Sequence, residues 1–225
     1  MFPKEKRILA WQKIPESSRI IFFASIIIII FLTPNLAEGY ESTWDEVNIN
    51  TNNNYNAAVI DSNGDAWVFG DNGVIIHGEK LSNWSIVNSP TVEDILTADS
   101  NENLVVAAGK NGVVIYKEIQ SNEWINIDID NQTRINSVSI NNVDEIVIVT
   151  DLGDIQIFKD NEWLQINSLT SEKLFDITFE NERGLISGSS GLILGSEDNG
   201  LTWEVRDTPE IVEESDIISI GYYKA

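Results

Sequence analysis

Tryptophan falls at Trp44, Trp84, Trp124, Trp163 and Trp203, at intervals of 40, 40, 39 and 40 residues. A second marker keeps step with it. A glycine opens an apolar alternation at Gly73-Val-Ile-Ile, Gly112-Val-Val-Ile, Gly153-Asp-Ile-Gln-Ile and Gly191-Leu-Ile-Leu, with gaps of 39, 41 and 38 residues. Two independent markers on one period define an internal repeat. A repeat of this length restricts the chain to folds made by stacking like units, each burying the face of its neighbour.

Each unit reads as four short strands separated by Gly, Asn and Asp. The first unit runs through Ala57–Asp61, the turn Ser62-Asn63-Gly64, Ala66–Phe69, the hairpin Gly70-Asp-Asn-Gly73, Val74–His77 and Trp84–Val87. The second has Ile95–Ala98, Leu104–Ala108, Val113–Tyr116 and Trp124–Ile127, and the third Ser137–Ile140, Ile146–Val149, Ile155–Phe158 and Trp163–Ile166. The fourth has Phe175–Phe179, Gly184–Ser187, Leu192–Leu194 and Trp203–Val205. Short apolar runs between such residues are hairpin chemistry, and no stretch after residue 40 keeps a helical period. Four strands in about 40 residues, repeated, mark the blade of a β-propeller.

The expected fold is therefore all-β, a propeller of four-stranded antiparallel blades with four full repeats and an irregular or incomplete fifth. A lone fourth strand, Thr43–Ile49, precedes the first full unit, and a lone first strand, Asp216–Tyr223, follows the last. An irregular fifth blade, two associated arcs and a C-terminally incomplete sequence all fit these leftovers. An open arc would offer its blade edges for self-association. The repeated tryptophans are expected to fill the gaps between blades, an aromatic ligand platform being the alternative.

Residues 1–39 form a separate segment, a signal peptide or membrane anchor, and residues 40–225 the repeat domain. Ile20–Ala37 carries no charge and is led by Lys4, Lys6, Arg7, Lys13 and Arg19. Its apolar centre is expected to form a hydrophobic helix that engages the membrane. Ala37-Glu38-Gly39 suits a cleavage site, while the stretch also just reaches the length of an anchor. Either reading exports the repeat domain to a periplasmic, lumenal or extracellular compartment. That domain holds nine basic and 33 acidic residues. Such a surface repels phosphates, so nucleic acid is excluded as a partner. The absence of cysteine removes disulfides and thiolate chemistry.

Ser196-Glu-Asp-Asn-Gly-Leu-Thr-Trp203 matches the Asp-box, Ser-x-Asp-x-Gly-x-Thr-Trp, at every fixed position. Its residues are given structural roles. Asp198 accepts N–H groups within the turn, Gly200 supplies a backbone conformation that a side chain would hinder, Thr202 closes the hairpin through its hydroxyl, and Trp203 anchors the strand. The earlier units keep only the tryptophan. With Gly191-Leu-Ile-Leu before it and a blade around it, this motif resembles the photosystem II stability and assembly factor family of propellers, and the wider Asp-box repeat proteins that include sialidases. The resemblance implies a propeller fold and a lumenal or periplasmic factor that binds membrane-protein subunits during assembly. It implies no binding residue here, because the family's arginine-rich face has only Arg134, Arg183 and Arg206 as counterparts.

No catalytic, cofactor-binding or metal site is assigned. His77 is the sole histidine and lies near no nucleophile motif. Asp61-Ser-Asn-Gly-Asp65 opens like a calcium loop but has Ala66 and Asn72 where glycine and a bidentate acid are required, so an ordinary turn is expected. Asn83-Trp-Ser85 and Asn131-Gln-Thr133 are glycosylation sequons. The reading is a non-catalytic scaffold for a membrane-associated protein partner, with no cofactor. The competing reading, from the Asp-box, is a sialidase-like glycan hydrolase or a glycan-binding surface protein. Convergence of the three arginines would favour it.

Overall fold

The computed structural model describes residues 8–10, 19–23, 26–30, 45–47, 49–130, 132–207 and 215–221. Its N-terminal strands are β1 (Ile8–Ala10), β2 (Arg19–Phe23), β3 (Ile26–Ile30) and β4 (Asp45–Val47). Here the structure departs from the expected hydrophobic helix. β2 and β3 pair as an antiparallel hairpin, Arg19 opposite Ile30 and Phe23 opposite Ile26. A run of β-branched isoleucines loses side-chain freedom in a helix and fits a pleated strand, which accounts for the difference. No helix among the described residues is long and apolar enough to cross a membrane. The lone fourth strand is also corrected in its pairing. β4 joins β1, with Ile8 opposite Val47, rather than standing alone.

Four antiparallel sheets follow, each a meander in chain order. Blade 1 comprises β5 (Tyr55–Ile60), β6 (Ala66–Gly70), β7 (Ile75–Glu79) and β8 (Ser82–Val87). Blade 2 comprises β9 (Ile95–Ser100), β10 (Leu104–Gly109), β11 (Val114–Glu118) and β12 (Ile125–Asn126). Blade 3 comprises β13 (Ile135–Ile140), β14 (Ile146–Thr150), β15 (Ile155–Lys159) and β16 (Glu162–Ile166). Blade 4 comprises β17 (Leu174–Glu180), β18 (Arg183–Gly188), β19 (Ile193–Ser196) and β20 (Glu204–Val205). The marker glycines close the turn between second and third strands. Gly73 has φ +68°, and a Cβ there would lie 2.2 Å from the Thr91 carbonyl oxygen. Only glycine meets both demands.

Alternation puts one apolar row of each strand on each face of the blade. Trp67, Phe69 and Ile75 of blade 1 meet Val105, Ala107 and Ile115 of blade 2. Val106, Ala108 and Val114 meet Ile135, Ile146 and Ile148 of blade 3. Val147, Ile155 and Ile157 meet Leu174, Ile186, Leu194 and Trp203 of blade 4. Trp124, Trp163 and Trp203 each face the blade before their own. Trp124 stands edge-on to Trp67 and Phe69, with centroids 5.4 and 5.6 Å away. Trp163 donates its indole N–H to the Ile127 carbonyl at 2.7 Å. Trp84 packs with Ile49, Val68 and Ile76 on the leading face of blade 1. Trp44 lies outside the described residues.

The first strands β5, β9, β13 and β17 stand side by side as the inner edge of an arc. Polar side chains join them across blades. Asp99 of β9 accepts the Ser139 hydroxyl at 2.9 Å and the Ile140 N–H at 2.8 Å, both from β13. Asp176 of β17 repeats the clasp with the Ser219 hydroxyl at 2.9 Å and the Ile220 N–H at 3.0 Å, while its other oxygen takes the Ser137 hydroxyl at 2.8 Å. Residues 215–221 therefore follow blade 4 as blade 4 follows blade 3. They form no ladder, which corrects the expected lone strand over 216–221. With no strand paired to them among the described residues, they are held by these clasps and by the Ile217 N–H on the Gly188 carbonyl at 3.1 Å.

Candidate functional site

A four-stranded meander places its first and third turns at the same end of the blade. The Asp-box occupies the third turn of blade 4. Ser196 donates its hydroxyl to Asp198 at 2.8 Å and accepts the Gly200 N–H at 2.9 Å. Asp198 takes the Thr202 N–H at 2.9 Å and its hydroxyl at 2.6 Å. Trp203, 4% exposed, donates to the Gly200 carbonyl at 2.9 Å. Gly200 has φ +89°. Burial alone would raise the Asp198 carboxyl. The donors of Thr202, Ser196 and Leu201 outweigh it and hold the group below its ordinary value. These contacts all stay within the turn, so Ser196, Asp198, Thr202 and Trp203 shape a hairpin.

The same end of the interface between blades 1 and 2 is polar. Asp61 accepts the N–H of Asn63 and Asp65 at 2.9 and 3.1 Å and the indole N–H of Trp67 at 2.9 Å. Its two oxygens thus serve a turn and a core indole. The Asp61–Asp65 segment is built as a turn. His77 stacks on Trp67, with centroids 4.2 Å apart, and its Nε2 lies 3.0 Å from Asp65. Burial would raise Asp65, but the Lys80 N–H and His77 hold it below its ordinary value. Lys117 from blade 2 is 3% exposed, with Nζ 4.8 Å from the Trp67 ring centre. Burial pushes its ammonium down, and Asp61 and Asp65 pull it part of the way back. This cluster joins two blades through stacked rings and a buried ammonium.

The interface between blades 2 and 3 is open at this end. A cleft of about 310 Å³ is lined by Leu104, Tyr116, Val143, Ile146 and Phe158, with Asp144, Glu145, Lys159, Asp160 and Asn161 at its rim. The rings of Tyr116 and Phe158 lie 6.3 Å apart, tilted by 47°. Tyr116 sits where blade 1 has His77 and Phe158 where blade 2 has Lys117, counting from the marker glycines. The repeat thus changes a filled polar junction into an aromatic floor. Asn101 and Asn103 donate to the two oxygens of Asp144 at 2.6 and 2.7 Å and fix its carboxylate. Lys159 is matched to Glu145 at 3.4 Å. Sequence reasoning missed this cleft, because its residues come from four separate turns and strands. The substitution of aromatics for His77 and Lys117 in register was the available signal.

The three arginines do not converge. Arg183 and Arg206 reach Glu197, at 3.0 and 3.3 Å, while Arg134 donates to Asn136 at 2.9 Å. A three-arginine clamp is not assembled. Among the described residues no cluster of three or more His, Asp or Glu could hold a metal ion.

The fold and its cross-blade packing define this chain as an arc of β-propeller blades. No family model matches the chain, and no curated protein matches it. Solved structures do. YCF48 bound to a D1 peptide superposes with a TM-score of 0.57 at 14% identity, over 78% of this chain and 60% of that one. YCF48 from Cyanidioschyzon merolae gives 0.57 at 14% identity, over 76% and 62%. The computationally designed protein Ika8 gives 0.60 at 14% identity, over 83% and 55%. This chain spans about three fifths of the length of the two YCF48 chains. At such identity the likeness establishes the fold.

Proposed function

We propose that this protein is a non-catalytic propeller scaffold that binds protein partners outside the cytoplasm, as an assembly or stability factor for a membrane protein complex. The observation that supports the reading most is the aromatic cleft between blades 2 and 3, on a fold shared with a YCF48 chain bound to a D1 peptide. Rigid blades hold such a cleft preformed, which limits the entropy lost on binding. The basic residues ahead of Ile20–Ala37 support export and a working place near a membrane. Arg134 lies apart from Arg183 and Arg206, and the lack of a three-arginine clamp speaks against the glycan-hydrolase alternative.

Affinity capture of the tagged full chain from mildly solubilised native membranes, read by mass spectrometry, tests this. The reading expects a membrane protein subunit to be enriched over a control propeller. Recovery of no protein above that control would overturn it.

A further inference from the structure

We infer that the cleft between blades 2 and 3 is the seat for an extended, positively charged peptide segment. The segment would lay a lysine or arginine stem along Tyr116 and Phe158 and its cationic head against Asp144 and Asp160. This rests on the protein-binding reading and names the partner's chemistry.

The floor and the rim ask for different things. Leu104, Tyr116, Val143 and Phe158 offer apolar and aromatic surface, and Val143 is 54% exposed. A long basic side chain satisfies both demands, since its methylenes bury on the rings while its head stays at the wet rim. Aromatic faces attract cations as well. The charge balance of the rim selects the sign. Lys159, the cation on the rim, is matched to Glu145, which also accepts the Asn141 amide at 2.8 Å. Asp144 and Asp160 have no cation partner among the described residues, and both are exposed. Asp144 is not left to rotate, because the Asn101 and Asn103 amides hold it. A carboxylate fixed in place but not neutralised is prepared for a guanidinium or ammonium group. The surplus of acid over the whole repeat domain would steer such a segment toward the protein. An acidic or phosphorylated segment would meet repulsion at the rim.

The test uses the full chain and the fluorescein-labelled peptide Gly-Ser-Leu-Arg-Leu-Lys-Ser-Gly. Its counterpart carries glutamate in place of arginine and lysine. Fluorescence anisotropy should show binding of the basic peptide alone. Asp144→Asn should weaken it by about tenfold, the value of one charge-assisted contact. Tyr116→Ala should weaken it as well, and Tyr116→Phe should restore it. Glu172→Gln, an exposed acid before blade 4, removes the same charge elsewhere and should leave binding unchanged. Equal losses from Asp144→Asn and Glu172→Gln would mean unspecific attraction and overturn the proposal, as would equal binding of both peptides. Preferential binding of an uncharged glycan on an array, lost in Tyr116→Ala, would also overturn it. Should the membrane capture succeed equally for wild type and Asp144→Asn, the scaffold reading would survive and this seat would not.

Discussion

Aspartate performs three distinct tasks in this molecule, and position separates them. Asp198 closes one turn, Asp99 and Asp176 join inner strands, and Asp144 stands at the rim of a cleft. Asp198 gives the clearest residue-scale prediction. Asp198→Ala leaves the Thr202 N–H and the Ser196 hydroxyl without their acceptor and should cost about 1–3 kcal/mol in urea unfolding at neutral pH. The sign with pH follows from its depressed carboxyl. Its contribution is present above the ordinary value of 3.8 and is lost as pH falls through the lower folded value. The gap between wild type and variant should therefore close in acid. A gap that stays constant down to strong acid would contradict this. The partners of Asp198 lie within four residues, so such a turn can be written in a motif. The cross-blade partners of Asp99 lie 40 and 41 residues away, and nothing local announces them. Burial raises the Asp99 carboxyl, and the Asp176 charge adds to it, while the donors of Ile140, Ser139 and Ser100 work against the rise.

At the scale of the element, the period carried the strands and missed what breaks the period. Gly73, Gly112, Gly153 and Gly191 all have positive φ, which is why one glycine recurs at one turn. The tryptophans recur because each blade must fill the gap to the blade before it. The isoleucine run at 26–30 has no repeat context, so hydrophobicity suggested a helix where β-branching favours strands. The fourth strands of blades 2 and 4 shrink to two residues, Ile125–Asn126 and Glu204–Val205. A strand on the outer edge packs little and tolerates such loss. Energetics should follow the same geometry. Ile157 is fully buried between blades 3 and 4, and Ile157→Ala should cost about 2–5 kcal/mol. Ile86 is 52% exposed on the outer strand of blade 1, and Ile86→Ala should stay within about 0.5 kcal/mol. Denaturant midpoints measure both, and similar losses would refute the assignment of faces.

On the scale of the whole molecule, the two faces of blade 4 differ in character. Positions that hold Val149, Ile157 and Ile166 in blade 3 hold Ser187, Gly195 and Arg206 in blade 4. The face of blade 4 turned away from blade 3 is thus less apolar than the matching face of blade 3. Residues 215–221 lie at that side, clasped by Asp176. The stacked arc requires blades 3 and 4 to be adjacent vanes with their inner strands in contact. The chain has no cysteine, so an introduced pair reports without interference. Ser137 and Asp176 touch at 2.8 Å across the two inner strands. Oxidation of Ser137→Cys/Asp176→Cys, followed by mass spectrometry of the linked peptides, tests the adjacency directly. A rapid intramolecular disulfide, absent from a Ser62→Cys/Asp176→Cys control that joins blade 1 to blade 4, is the predicted result. Failure of the first pair to link, or equal linking of both, would contradict the stacked arc.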